Sequence, residues 1–148
     1  MTFASDVDAT PYLAGVRKPR LQALKRVDAR RVSAAKPRRL LGSVDVDAAL
    51  AAADPNGARW DYIVGAKTSS EDFVYWIEIH PAAGDANVGE VRSKVAWLKN
   101  WLATTPLRNY PREVVWVASG SSAFTQRDPR LKALAEQGVR FAGGHFRI

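Results

Sequence analysis

The sequence predicts an α/β domain in which a mixed sheet is flanked by helices. Three observations lead to that expectation. WDYIVGA (60–66) and FVYWIEIH (73–80) are rich in aromatic and β-branched residues, as strands are. Val88, Val91, Val95, Leu98 and Leu102 then recur at helical spacing, the stripe of a helix packed on a sheet. EVVWVAS (113–119) is a continuous apolar run of the kind found in a strand buried on both faces.

The remaining elements follow in chain order. Residues 1–11 lack apolar periodicity and are expected to be poorly ordered. After Pro19, the spacing of Leu21, Leu24, Val27 and Arg31 predicts a short basic helix that Pro37 closes. SVDVDAALAAA (43–53) reads as a helix capped by Ser43 or Asp47, with Asp54-Pro55-Asn56-Gly57 turning the chain after it. The six residues between the first two strands suit a hairpin. Asn87 and Glu90 make a capping-box-like start for the long helix, which Thr104-Thr105-Pro106 ends. Strand, helix and strand then form a crossover unit, so 73–80 and 113–119 should be parallel neighbours. Asp128-Pro129 caps a last helix, Gly138 stops it, and VRFA (139–142) closes as a strand.

Composition narrows the function classes. Apolar residues make up 47 % of 148, enough for one domain with a real core. No cysteine is present, so any metal must sit on Asp, Glu or His. No apolar run approaches the ~20 residues needed to cross a bilayer, and no secretory signal opens the chain, so a cytoplasmic protein without membrane contact is expected.

Charge is unevenly placed. Residues 1–42 hold ten Lys/Arg against three Asp, whereas 43–148 hold twelve against twelve acidic residues. The first 42 residues are therefore expected to form a basic arm beside a single α/β domain at 43–148. Arg17, Lys18, Arg20, Lys25, Arg26, Arg30, Arg31, Lys36, Arg38 and Arg39 are its candidate nucleic-acid contacts, through the phosphates. The same block also reads as a solvated segment, or as a surface for an acidic protein partner.

Alternate residues of a strand share a face, so Glu78 and His80 point the same way as Val74 and Trp76. A charged Glu in so apolar a strand must be paired, exposed or bound to metal. Asp61 on the partner strand would complete a carboxylate pair suited to Mg²⁺ or Mn²⁺, whose ligands are oxygens. Other readings stand beside that one. Glu78 and His80 fit a structural pair at the sheet end, Asp61 a solvated strand start, and Lys94 a solvated helix flank. Asp45 and Asp47 offer a further ligand, although Asp47 suits a helix cap better. Trp97 and Trp101 suit core or interface.

A helix, a hairpin with Asp on its first strand and E-x-K on its second, then a helix and a strand, is the core of the PD-(D/E)xK nuclease superfamily. Residues 43–119 resemble it, with Asp61 at the motif Asp and Glu78 at the E-x-K Glu. The stretch WIEIHPAAGDANVGEVRSKVAWLKNWL also resembles a block of bacterial proteins that carry E-x-H-P before a helix. The resemblance implies a restriction-endonuclease-like fold and a metal-dependent nuclease. Asp61 and Glu78 would hold the ion, with Asp61, Glu78, His80 and Lys94 as the catalytic set. His80 stands where the superfamily has Lys. In some relatives that Lys has moved to the following helix, the place Lys94 occupies here. A nuclease-fold protein without catalysis, binding nucleic acid or a protein partner, is the alternative.

Overall fold

Alternation along one strand sorts the molecule into layers. In FVYWIEIH, Val74 and Trp76 lie in one apolar cluster, while Ile77 and Ile79 lie in another on the opposite side of the sheet. The computed structural model describes residues 2–148. Its elements are α1 (Phe3–Asp8), α2 (Arg26–Ala29), β1 (Val32–Ser33), β2 (Leu40–Asp45), α3 (Val46–Leu50), β3 (Tyr62–Lys67), β4 (Asp72–His80), α4 (Asp85–Leu102), β5 (Arg112–Ala118), α5 (Pro129–Glu136), β6 (Val139–Phe141) and β7 (Phe146–Arg147).

The main sheet has five strands in the order β2-β3-β4-β5-β6. β2, β3 and β4 form an antiparallel meander, and β4, β5 and β6 run parallel. The chain is thus an α/β fold with a mixed five-stranded sheet flanked by helices. The expected crossover is present: α4 carries the chain from β4 to its parallel neighbour β5, with Ile77 opposite Val115. The predicted stripe of Val88, Val91, Val95, Leu98 and Leu102 is the buried face of α4. That helix begins earlier than expected, because Gly84 is its N-cap and Asn87 sits inside the first turn. The Asn87 Oδ1 accepts from the Ala83 and Gly84 N–H groups at 2.9 and 3.3 Å, drawing the start of the helix back by a turn. Among the described residues, no helix is long and apolar enough to cross a membrane.

Two expectations are overturned. The first core element is not a helix over 43–53. Residues 40–45 form β2, and only Val46–Leu50 coil into α3. Ser43 is a fully buried strand residue whose Oγ accepts from the Ala23 N–H at 3.0 Å. Asp45, rather than Ser43 or Asp47, caps α3 by accepting from the Ala48 N–H at 2.9 Å.

The second correction concerns the basic arm, which is part of the domain. Phe3, Val7 and Leu13 are fully buried in the α4-side cluster. Leu24 and Val32 join Tyr62, Val64, Ile77, Val115 and Phe146 on the other side, where residues 21–33 act as the second covering layer. The expected boundary at 42/43 therefore falls inside β2, and the expected helix after Pro19 shrinks to the four residues of α2. Five isolated apolar anchors among the charges hold the segment down, and their spacing fits no single helix or strand. Phe3 lies so close on β3 that a methyl group at Gly65 would stand 2.6 Å from its ring.

Candidate catalytic cluster at the sheet end

Asp61 directly precedes β3, and its carbonyl accepts from the Val46 and Asp47 N–H groups at 2.9 and 3.3 Å. The antiparallel register that pairs Tyr62 with Ile77 sets Asp61 opposite Glu78. Each holds the other's strand. The Asp61 N–H donates to Glu78 Oε1 at 3.1 Å, and the Ile79 N–H donates to Asp61 Oδ2 at 2.9 Å.

Glu78 and His80 share the α4 side of β4 with Val74 and Trp76, and Lys94 reaches them from the edge of the α4 stripe. Its Nζ donates to Glu78 Oε2 at 2.5 Å and stands 3.7 Å from Asp61 Oδ1. The Glu78 side chain is fully buried, whereas those of Asp61 and Lys94 are 19 % and 20 % exposed. The cluster therefore has a closed floor and an open rim. His80 lies between two carboxylates, with Nδ1 3.3 Å from Glu78 Oε2 and Nε2 3.4 Å from Glu90 Oε2. The second contact lacks hydrogen-bond geometry, so Nε2 is buried without a partner among the described residues.

Electrostatics follow from this packing. Burial, then the like charge of Glu78, pushes the Asp61 carboxyl up to about 7, against the opposing pull of Lys94 and the Ile79 N–H. Burial works against the Lys94 ammonium, but the Glu78 and Asp61 charges outweigh it and hold its pKa above the ordinary value. The Glu78 carboxylate beside Nδ1 raises His80 in spite of burial. Near neutral pH the cluster therefore combines a protonated Lys with an Asp poised to titrate, beside the fully buried Glu78 side chain.

All four predicted catalytic residues meet here: Asp61, Glu78, His80 and Lys94. Glu90 and the Asp47–Arg59 pair, whose ions meet at 2.9 Å, border the cluster without having been singled out as a unit. Asp47 is close enough to act on the charges of both Asp61 and Lys94. The available signal was its place beside Asp45, and sequence spacing does not reveal that Arg59 folds back onto it.

The basic residues divide. Arg31 is half-buried and structural, with its Nη1 donating to the carbonyls of Ala118 and Gly144 at 3.0 and 3.2 Å. The other nine are exposed, and among the described residues none is in an ion pair within 4.0 Å. Lys25, Arg26 and Arg30 lie near the carboxylate end of the sheet, where the Lys25 N–H donates to Tyr62 Oη at 3.2 Å. Lys36 and Arg39 stand at the other end, beside Ala66 and Tyr75. Arg17 is tied to the β2 edge through the Leu41 carbonyl at 2.9 Å.

The donors around Asp61 can be tested for a metal. Both carboxylates are hard oxygen ligands, and among the described residues Asp61 Oδ1 is the one oxygen of the pair with no hydrogen bond. Two carboxylates, completed by water and substrate phosphate, suit Mg²⁺ or Mn²⁺. Among the described residues, no group of three or more His, Asp or Glu is placed to hold an ion alone. No family model, curated protein or solved structure matches the chain.

Proposed function

We propose that the chain is a metal-dependent phosphodiesterase of the PD-(D/E)xK type, acting on nucleic acid. One observation carries the reading: Lys94 Nζ sits between the facing carboxylates of Asp61 and Glu78, at 3.7 and 2.5 Å, on the open rim of the sheet end. Those are the three chemical groups of the superfamily motif, with the Lys supplied from the following helix and His80 left at its usual place. The antiparallel hairpin, α4 and parallel β5 supply the matching scaffold. The expected leading helix is replaced by β2, so the likeness in element order starts at the hairpin.

In this reading Asp61 and Glu78 would hold Mg²⁺ or Mn²⁺, which when bound lowers the pKa of a coordinated water and offsets charge on the scissile phosphate. A cation held there would favour the ionised form of Asp61, against the burial and the Glu78 charge that raise its pKa. Lys94, kept protonated, orients the attacking water or a phosphate oxygen. His80 carries a proton beside Glu78 and steadies its carboxylate. The exposed cations Lys25, Arg26 and Arg30 supply phosphate contacts on the same end of the molecule.

A second reading, a nuclease-fold protein that binds nucleic acid or a protein partner without cutting, is favoured by the fact that Lys94 already neutralises the carboxylates. A thermal-shift titration with Mn²⁺ separates the two. The enzymatic reading expects Mn²⁺ to raise the Tm of wild type and to leave that of Asp61→Asn unchanged, since the ion binds only the folded site. A wild type indifferent to Mn²⁺ up to a few millimolar leaves the binding reading.

A further inference from the structure

Away from the carboxylates the molecule carries a separate concavity. Its volume is about 390 Å³, within the range of small-ligand sites. It lies on the other side of the sheet, floored by Leu40, Ala66 and Tyr75. Tyr75 precedes Glu78 by three residues on β4, so the two stand about 10 Å apart along the strand and on opposite faces of the sheet. A neighbouring hollow shares Lys36 and Arg39 with it and adds Arg38, and among the described residues no acidic side chain lines either one.

The local chain explains the arrangement. Pro37 starts a 3-10 turn over Pro37–Arg39, and the Arg39 N–H donates to the Lys36 carbonyl at 2.9 Å, so three cations gather within four residues. The segment before the turn is pinned: the Ala35 N–H donates to the Ile148 carbonyl at 2.8 Å, and the Ile148 N–H to that of Ser33 at 2.7 Å. The hollow is therefore preformed, and little ordering is left for a ligand to impose. Lys67 stands at the rim, where it also borders Glu71 and Asp72.

Two hydroxyls that line the same place are unused. Among the described residues, neither Ser69 Oγ nor Tyr75 Oη makes a hydrogen bond, whereas the adjacent Thr68 Oγ is occupied by the turn it closes. Glu113, the cross-strand neighbour of Tyr75, is held by Arg140 at 2.8 Å. Three cations, Lys36, Arg39 and Lys67, line the concavity against one anionic group, the Ile148 carboxylate, and the surplus of like charge favours an anion there. An aromatic floor favours an anion that carries a flat apolar group.

We propose that this hollow binds a nucleotide through its terminal phosphate, with Lys36 and Arg39 on the phosphate and the base against Tyr75. Arg38 and Lys67 add charge at the rim, and Ser69 donates to a phosphate oxygen. The nucleotide is either a free nucleoside phosphate or the phosphorylated end of a strand. The site is independent of the carboxylate cluster and stands whether or not that cluster cuts.

Calorimetry on the full chain at low salt with EDTA tests it, using adenosine 5′-monophosphate, inorganic phosphate and adenosine as probes. The nucleotide should bind one per chain, at least ten times more tightly than phosphate or adenosine alone. The double variant Lys36→Ala/Arg39→Ala should weaken it at least tenfold, while Lys132→Ala, an exposed cation elsewhere, should not. Tyr75→Leu should bring nucleotide affinity down to that of phosphate. A 5′-phosphorylated tetranucleotide compared with its 5′-hydroxyl twin identifies the source: preference for the phosphorylated strand marks a strand end, and binding of the mononucleotide alone marks a free nucleotide. The proposal is overturned if phosphate and nucleotide bind equally, or if the double variant binds the nucleotide as wild type does.

Discussion

Asp61 and Glu78 are joined twice across the β3–β4 ladder: the Asp61 N–H donates to the Glu78 carboxylate, and the backbone after Glu78 donates to the Asp61 carboxylate. Neither side chain is free to leave without exposing a buried backbone donor. Glu78→Gln keeps one acceptor but strips Lys94 of a full counter-charge at 2.5 Å. It should destabilise the protein by about 2 kcal/mol or more. Urea denaturation at pH 7 measures this, and an unchanged midpoint would mean that Lys94 and Glu78 contribute nothing as a pair.

Stability should fall as pH rises across the slightly acid range. Asp61 binds its proton more tightly in the folded state, with its pKa raised to about 7 from 3.8. Its contribution is thus fully present below pH 4 and lost as pH climbs through 7. His80, raised above 6.5, acts in the same direction at higher pH. The Asp61 contribution is at most about 4 kcal/mol. Denaturation between pH 4.5 and 8 should show the decline, and Asp61→Asn should flatten most of it. A wild type that gains stability over that window contradicts the arrangement.

The N-terminal segment should behave as core. Phe3 is fully buried beside Gly65, so Phe3→Ala should cost roughly 3–4 kcal/mol. Gly65→Ala should destabilise as well, because a methyl group has no room there. Brief trypsin treatment should leave residues 17–39 largely uncut in the folded protein. Rapid trimming to a stable fragment starting near residue 40 would reinstate a detachable arm.

Nucleic-acid binding should depend on salt through the exposed cations. If five of them contact phosphates, log K should fall with log salt at a slope of roughly −4.5. Neutralising Lys25, Arg26 and Arg30 together should reduce that slope by nearly three. Point substitution is the proper probe, since deleting the segment removes Leu24 and Val32 from the second layer. A slope unchanged in the triple variant would move the contact surface elsewhere.

The sheet and its long helix were legible because β3, β4, α4 and β5 each carry a strong period or a dense apolar run. The site was legible for the same reason: once β4 alternates, Glu78 and His80 must face α4, and the hairpin must bring Asp61 across. The N-terminal third was not legible. Phe3, Val7, Leu13, Leu24 and Val32 are single anchors in a charged background, and only tertiary contact reveals them. β2 was hidden because SVDV alternates for too few residues before Val46–Leu50 turns helical. Lys94, one of two Lys on α4, was legible as the candidate on that helix, whereas its direct contact with Glu78 is seen only in the fold.

The most direct test of the proposed enzyme is cleavage of labelled single- and double-stranded DNA and RNA by the purified chain in Mn²⁺, run beside Lys94→Ala and Asp61→Asn whose folding has been checked by circular dichroism. The account predicts strand cleavage by wild type that EDTA abolishes and that each variant reduces at least a hundredfold. No cleavage of any of the four substrates in millimolar Mn²⁺, or cleavage that both variants retain in full, would contradict it.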